Sequence, residues 1–188
     1  MNTLDQILKH NQSFVNNGEY RTLKTNTKYP AKEMVIVSCM DTRLTELLPK
    51  AMNVANGDAK IVKVAGAVIS HPFGAVMRSI IVGVHSLGAE EVFIVGHDDC
   101  GMSTIQPETL IEEMLEDGIS RETISILENS GINVKEWLCG FDNIEESIRN
   151  SVNVVRNHPL IPKYVKVNGL IMNPETGALR VVIDGHQI

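Results

Sequence analysis

The chain has 188 residues, of which 43% are hydrophobic, a length and composition that predict one globular domain with a substantial core. Its 17 basic and 23 acidic residues give a net charge of −6, which argues against nucleic acid as a partner because phosphate binding requires a basic face. No apolar run reaches the roughly 18 residues of a membrane span, and the N-terminus lacks the pattern of a signal peptide. We therefore expect no membrane partner and a cytoplasmic location, where three cysteines suit metal binding better than disulfides.

The N-terminal segment predicts a helix followed by a loop. Thr3 and Gln6 have capping-box spacing, and residues 3–15 carry one apolar face formed by Leu4, Ile7, Leu8, Phe14 and Val15. Residues 16–33 are polar and contain Gly18 and Pro30. We expect residues 1–33 to form an N-terminal arm, held away from the body of the domain and free to pack on a partner subunit.

Strand and helix patterns then alternate along the chain. β-Branched apolar runs predict strands at Met34–Ser38, Lys60–Val64 and Glu91–Val95. Apolar periodicity predicts the intervening helices at Leu44–Met52 and 74–87. This βαβαβ order predicts a parallel sheet with right-handed crossovers.

The second half of the chain predicts helices and then a hairpin. Residues 102–157 are predicted to be helical with breaks, and the predicted strands Tyr164–Met172 and Ala178–Ile183 are separated by a predicted turn at Asn173–Gly177. That last pair can only be antiparallel. The expected fold is therefore a single α/β domain over residues 1–188, with a mostly parallel central sheet, an antiparallel edge strand, helices on both faces and an N-terminal helical arm.

Two short segments at predicted strand ends carry metal-binding residue types. They are Cys39-Met40-Asp41-Thr42-Arg43 and His97-Asp98-Asp99-Cys100-Gly101. Ligand crevices form at the carboxyl ends of parallel strands, and two thiolates with one imidazole select zinc over magnesium or calcium. Three protein ligands leave one position open at a tetrahedral metal, as in catalytic sites. The alternative is a pair of inert buried cysteines beside a core histidine.

Asp41 and Arg43 add a carboxylate and a guanidinium beside the first cysteine. Their structural interpretation is a helix N-cap and a surface ion pair. An exposed ion pair is worth little to stability, so stability alone gives little reason for placing it next to a thiol. The pair therefore strengthens the prediction of a catalytic site.

Cys-Met-Asp-Thr-Arg-Leu and Gly-His-Asp-Asp-Cys-Gly resemble the two conserved segments of β-class carbonic anhydrases, and the similarity to the compact, archaeal-type branch extends along the whole chain, including a helical insert at 102–141. The resemblance implies that Cys39, His97 and Cys100 bind one Zn2+ per chain and that Asp41 and Arg43 form a catalytic dyad. It also implies a homodimer or dimer of dimers whose helical arm grips the neighbouring subunit. In some β-class enzymes the same aspartate becomes a fourth zinc ligand in an inactive state, which the resemblance extends to Asp41.

The reaction implied by the resemblance is reversible hydration of CO2 to bicarbonate and a proton. The segment Val64-Ala65-Gly66-Ala67 is more apolar than in many family members. Such a wall suits CO2 and equally CS2 or COS, so a CS2/COS hydrolase using the same zinc is one alternative. A catalytically silent zinc-binding module is another. A nucleotide-binding domain is disfavoured because no glycine-rich turn follows the first strand.

Three further residues have weaker predictions. Asp98 and Asp99 are interpreted either as caps of the helix after Gly101 or as groups that export the proton, and neither is assigned. Cys139 follows Trp137 and Leu138 and is predicted to be a buried free thiol.

Overall fold

The computed structural model describes residues 1–187. The strands are β1 Met34–Cys39, β2 Ala59–Val64, β3 Glu91–His97, β4 Lys166–Met172 and β5 Leu179–Ile183. The α-helices are α1 Thr3–Asn16, α2 Leu44–Ala51, α3 Ala75–Leu87, α4 Pro107–Glu116, α5 Arg121–Asn129, α6 Val134–Leu138 and α7 Ile144–Arg156. Short 3-10 turns lie at Glu19–Leu23, Ala65–Ala67 and Gly101–Ser103.

The five strands form one sheet in the order β2-β1-β3-β4-β5. β1 pairs in parallel with β2 and β3, and β3 pairs in parallel with β4. β5 closes the sheet as an antiparallel edge strand against β4. The predicted fold class is therefore confirmed, and β1 and β3 lie side by side in the interior of the sheet.

Alternate side chains of each strand point to opposite faces of the sheet. Both faces carry apolar side chains, and helices pack on both. On β1, Val35 and Val37 join one core cluster and Ile36 joins the other. The first cluster includes residues of α3 and α7, namely Met77, Ile80, Ile148 and Val152. The second is formed with α2 through Leu44 and Leu48. All of these side chains are fully buried, so the two central strands are packed from both sides.

The first helix has no buried residue. Its capping box is formed by Asn2 and Asp5, not by Thr3 and Gln6: the Asn2 side chain accepts from the Asp5 amide, and the Asp5 carboxylate accepts from the Asn2 amide. Along the apolar face, Leu4, Ile7 and Leu8 remain 62%, 58% and 57% exposed.

Within residues 1–187, no helix is both long and apolar enough to cross a bilayer.

The segment between β3 and α7 contains α4, α5 and α6. Neither α4 nor α5 has a buried residue, and Val134 is the buried residue of α6. Cys139 is exposed, so the prediction of a buried thiol is wrong. The apolar neighbour on which that prediction depended, Trp137, is itself 72% exposed, because α6 is a short helix at the surface.

Candidate metal centre

The two central strands bring the three predicted ligands together. Cys39 ends β1 and His97 ends β3, and these strands are parallel neighbours. Cys100 follows His97 after a short turn. The donor atoms of the three side chains all lie within 4.8 Å of one another, and all three residues are buried. Cys39 and Cys100 are 61 positions apart in the sequence. The pairing of β1 with β3 brings them together in space.

The spacing and the hydrogen bonding of this cluster fit a tetrahedral zinc ion. Two sulfur atoms bound to one tetrahedral zinc at about 2.3 Å are about 3.8 Å apart, and the Sγ atoms of Cys39 and Cys100 are separated by 3.8 Å. His97 Nδ1 lies 2.8 Å from the carbonyl oxygen of Asp98, the outer contact that orients a metal-binding imidazole. Within the part of the chain that is described, the buried Nε2 of His97 has no hydrogen-bond partner. A buried nitrogen without a partner is costly, and coordination would satisfy it.

The two cysteines share charge through a mutual hydrogen bond. That bond is the main cause that lowers the pKa of Cys39, to about 4, against the opposing effect of burial. The same bond, with burial, raises the pKa of Cys100. Burial lowers the pKa of His97, but contact with Cys39 and with the Asp98 carbonyl raises it overall. The hydrogen bond therefore favours the thiolate form of Cys39 over that of Cys100, and the thiolate is the form of cysteine that binds metals.

Asp41 and Arg43 form a closely bonded pair beside this cluster. Asp41 Oδ1 accepts from the backbone amide and from Nε of Arg43 at 2.8 and 3.1 Å. Oδ2 accepts from Arg43 Nη2 at 2.9 Å. These bonds lower the pKa of Asp41 to about 2. Asp41 Oδ2 also lies 3.8 Å from His97 Nε2, and its side chain is only 18% exposed, so the pair is part of the site.

Asp99 contacts the same arginine, which sequence reasoning missed. Its carboxylate accepts from Arg43 Nη1 at 2.9 Å, and its carbonyl oxygen accepts from Nη2 at 2.9 Å. The interpretation of Asp98 or Asp99 as a helix cap is wrong, because the 3-10 turn Gly101–Ser103 has no side-chain cap. Arg43 and Asp99 are 56 residues apart, and no local pattern connects them; the only available signal was a carboxylate directly preceding a predicted ligand.

A cavity of about 730 Å³ opens over the cluster. Its apolar lining comes from Met40, Ala65, Met102 and Ile105. Gly66 completes this wall at a φ of +64°, where a Cβ would lie 2.9 Å from Phe141 Cε1. Only glycine fits both the backbone and the space there. The cavity is therefore lined by both charged and apolar side chains.

Known proteins with the same architecture are carbonic anhydrases and a related hydrolase. Residues 34–179 match the family model described as carbonic anhydrase. "Putative carbonic anhydrase YvdA" of Bacillus subtilis (strain 168) is 54% identical over 187 residues, which is 100% of this chain and 94% of that protein. A carbon disulfide hydrolase of Acidithiobacillus thiooxidans is 29% identical over 155 residues, covering 79% of this chain and 76% of that protein.

Among solved structures, the crystal structure of β-carbonic anhydrase isoform I (TvaCA1) from Trichomonas vaginalis superposes with a TM-score of 0.88 and 34% identity. The match covers 98% of this chain and 100% of that chain. The family match and these similarities agree with the fold. The chain belongs to the β-carbonic anhydrase family.

Proposed function

We propose that this protein binds one Zn2+ per chain and catalyses the reversible hydration of CO2 to bicarbonate and a proton. The observation that carries the proposal is a buried Cys-His-Cys cluster with zinc-like sulfur spacing, 3.8 Å, directly beside an ion-paired carboxylate. When bound, zinc would acidify a water molecule and so supply hydroxide near neutral pH.

Each site residue has one task in this mechanism. Cys39, His97 and Cys100 would hold the metal, and the carbonyl of Asp98 fixes the imidazole of His97. Because the pKa of Asp41 is about 2, its carboxylate is ionised throughout the physiological range. It can accept a hydrogen bond from the attacking water and orient the oxygen lone pair toward the carbon of the substrate. Arg43 holds Asp41 in that orientation through charge-assisted hydrogen bonds.

The same carboxylate has a second possible position. Two nitrogen or oxygen ligands of one tetrahedral zinc are about 3.4 Å apart, and Asp41 Oδ2 is 3.8 Å from His97 Nε2. A small movement away from Arg43 would therefore make Asp41 the fourth ligand. We propose that this arrangement is an inactive state of the enzyme.

The apolar wall of the cavity supports a second candidate substrate class. Met40, Ala65 and Ile105 favour small linear molecules without hydrogen-bonding groups, which include CS2 and COS as well as CO2. The similarity to a carbon disulfide hydrolase favours the same alternative. Hydrolysis of CS2 or COS would use the same metal and the same carboxylate.

One set of measurements separates these functions. The initial rate of CO2 hydration is measured by stopped flow from pH 7 to 9, with CS2 and COS assayed on the same preparation and zinc determined in parallel. Hydration that rises with pH at about one zinc per chain supports the proposal. Faster turnover of CS2 or COS supports the hydrolase, and full zinc occupancy with no turnover at any pH supports a silent zinc-binding module.

We further propose a cytoplasmic homodimer, or dimer of dimers, in which residues 1–33 act as an arm and residues 102–141 as an insert of a single domain. The support is α1, whose apolar face is exposed at Ile7 and Leu8. A partner subunit is the expected cover for such a face. Leu8→Asp should weaken assembly without unfolding the subunit, as measured by light scattering, while Lys9→Asp on the same helix serves as the control. An unchanged molar mass for Leu8→Asp would contradict the role of α1.

A further inference from the structure

Arg43 is bound from two sides, by the carboxylate of Asp41 and by the residue that precedes the ligand Cys100. We propose that Asp99 is a positioning residue, which fixes the guanidinium of Arg43 in the orientation that restrains Asp41. This inference deepens the proposed function and depends on it for its catalytic consequence. Its structural part concerns only the chain's own residues.

The hydrogen bonds of Arg43 divide between the two aspartates. Nε and Nη2 donate to the carboxylate of Asp41 at 3.1 and 2.9 Å. Nη1 donates to the carboxylate of Asp99, and Nη2 also donates to its carbonyl oxygen, both at 2.9 Å. Since a guanidinium is planar and rigid, fixing its outer edge against Asp99 also fixes the edge that faces Asp41.

The conformation of Asp99 is unusual in a way that serves this contact. Its φ is +52°, an uncommon region for a residue with a side chain, although aspartate tolerates it better than most. The side chain is 84% exposed, so burial does not hold it in place. Among the described residues, Arg43 is the partner of its carboxylate. The carboxylate and the backbone carbonyl of Asp99 therefore both bind Arg43.

Loss of the Asp99 carboxylate would leave Nη1 of Arg43 without that partner. The guanidinium would then be held on that side only by the Asp99 carbonyl and would rotate more readily away from Asp41, whose Oδ2 lies 3.8 Å from His97 Nε2. A carboxylate released at that distance can compete for the fourth position of the metal. Asp99 therefore biases Asp41 toward the orientation paired with Arg43.

The test uses the full-length protein with Asp99→Gly, Asp99→Asn and Glu46→Gln. Glycine suits the positive φ and retains the carbonyl acceptor, whereas asparagine retains a side-chain oxygen without the charge. Glu46→Gln is the matched control, because Glu46 pairs with Lys50 at 2.7 Å on the exposed surface of α2. Thermal unfolding of each variant confirms that it is folded.

Two readouts do not depend on turnover. In chelator-treated protein, nitrogen-15 NMR measures solvent exchange of the Arg43 Nε–H. In cobalt-substituted protein, the visible absorption spectrum reports the ligands of the metal. Asp99→Gly should speed the exchange roughly fivefold, the effect of one partly exposed ion pair, and should alter the cobalt spectrum. The spectral change should be absent when Asp99→Gly is combined with Asp41→Asn.

The zinc-loaded variants show the catalytic consequence. Asp99→Gly should lower kcat roughly fivefold with a smaller change in KM, Asp99→Asn should restore at least half of the loss, and Glu46→Gln should behave as the unmodified protein. An unchanged Nε–H exchange rate or an unchanged cobalt spectrum in Asp99→Gly would overturn the inference. If the unmodified protein lacks hydration activity but both changes occur, the proposed function fails and the positioning role of Asp99 stands.

Discussion

Replacement of Asp41 by asparagine tests the proposed division of tasks between metal ligands and dyad. The change keeps the shape of the side chain and removes its charge. We expect zinc content to remain at about one per chain, because the proposed ligands are Cys39, His97 and Cys100. We expect CO2 hydration to fall steeply, because the amide cannot accept hydrogen bonds with both of its terminal atoms.

The size of the loss follows from the contacts of Asp41. One terminal atom accepts from the Arg43 amide and Nε at 2.8 and 3.1 Å, and the other accepts from Nη2 at 2.9 Å. In asparagine one of these atoms becomes an NH2 group facing a donor. Loss of a hydrogen bond to a charged group costs about 1.5–3 kcal/mol, and loss of the oriented acceptor for the attacking water adds to it. We expect kcat/KM to fall by about 10²-fold or more, equivalent to about 2.7 kcal/mol.

Stopped-flow hydration assays with zinc determined on the same samples measure this effect. Asp117→Asn, an exposed aspartate at the end of α4, is the control for the change in net charge. A kcat/KM within threefold of the unmodified protein, at equal zinc content, would refute the role given to Asp41.

Three further predictions concern stability. Arg43 lowers the pKa of Asp41 from 3.8 to about 2. The ion pair between them therefore stabilises the fold fully above about pH 4, and this stabilisation is lost as the pH falls toward 2. Arg43→Gln should accordingly destabilise the fold more at pH 5 than at pH 2 in urea unfolding. Removal of the proposed zinc by a chelator should lower the unfolding temperature by roughly 5–15 °C in calorimetry, since a ligand of the folded state adds stability. An equal temperature would contradict a stabilising metal at this site. Gly140→Ala would place a Cβ 1.8 Å from the carbonyl oxygen of Met102 and should cost about 2–3 kcal/mol in urea unfolding. Gly131→Ala has open space but a φ of +87° and should cost only about 1–2 kcal/mol; equal costs would contradict the steric argument.

The central strands could be predicted because nearly all of their residues are buried and therefore apolar. β1 and β3 are buried on both faces, so β-branched apolar runs mark them and the polar residues that follow mark their ends. The cap of the first helix could not be chosen in the same way. Asn2 with Asp5 and Thr3 with Gln6 have the same spacing in overlapping registers, and only the backbone conformation of Asn2 decides between them.

Contacts made by loops far apart in sequence were beyond prediction. The bond between Arg43 and Asp99 requires the loops after β1 and β3 to lie side by side and requires a positive φ at Asp99. Neither is a property of local composition. For Cys139, local composition predicted burial that the structure does not show. Apolar neighbours indicate burial only when the helix that carries them packs on the core.

The residues that line the cavity belong to regions with very different protection from solvent. Cys39 ends the interior strand β1, whose amides should exchange with deuterium only on global unfolding. Met102 and Ile105, in contrast, lead into α4 and α5, which have no buried residue. The part of the lining formed by Met102 and Ile105 should open by local fluctuations long before the part formed by Cys39 does. Changes in the insert would therefore alter how substrate enters, over evolution or by design, while the ligand geometry stays unchanged.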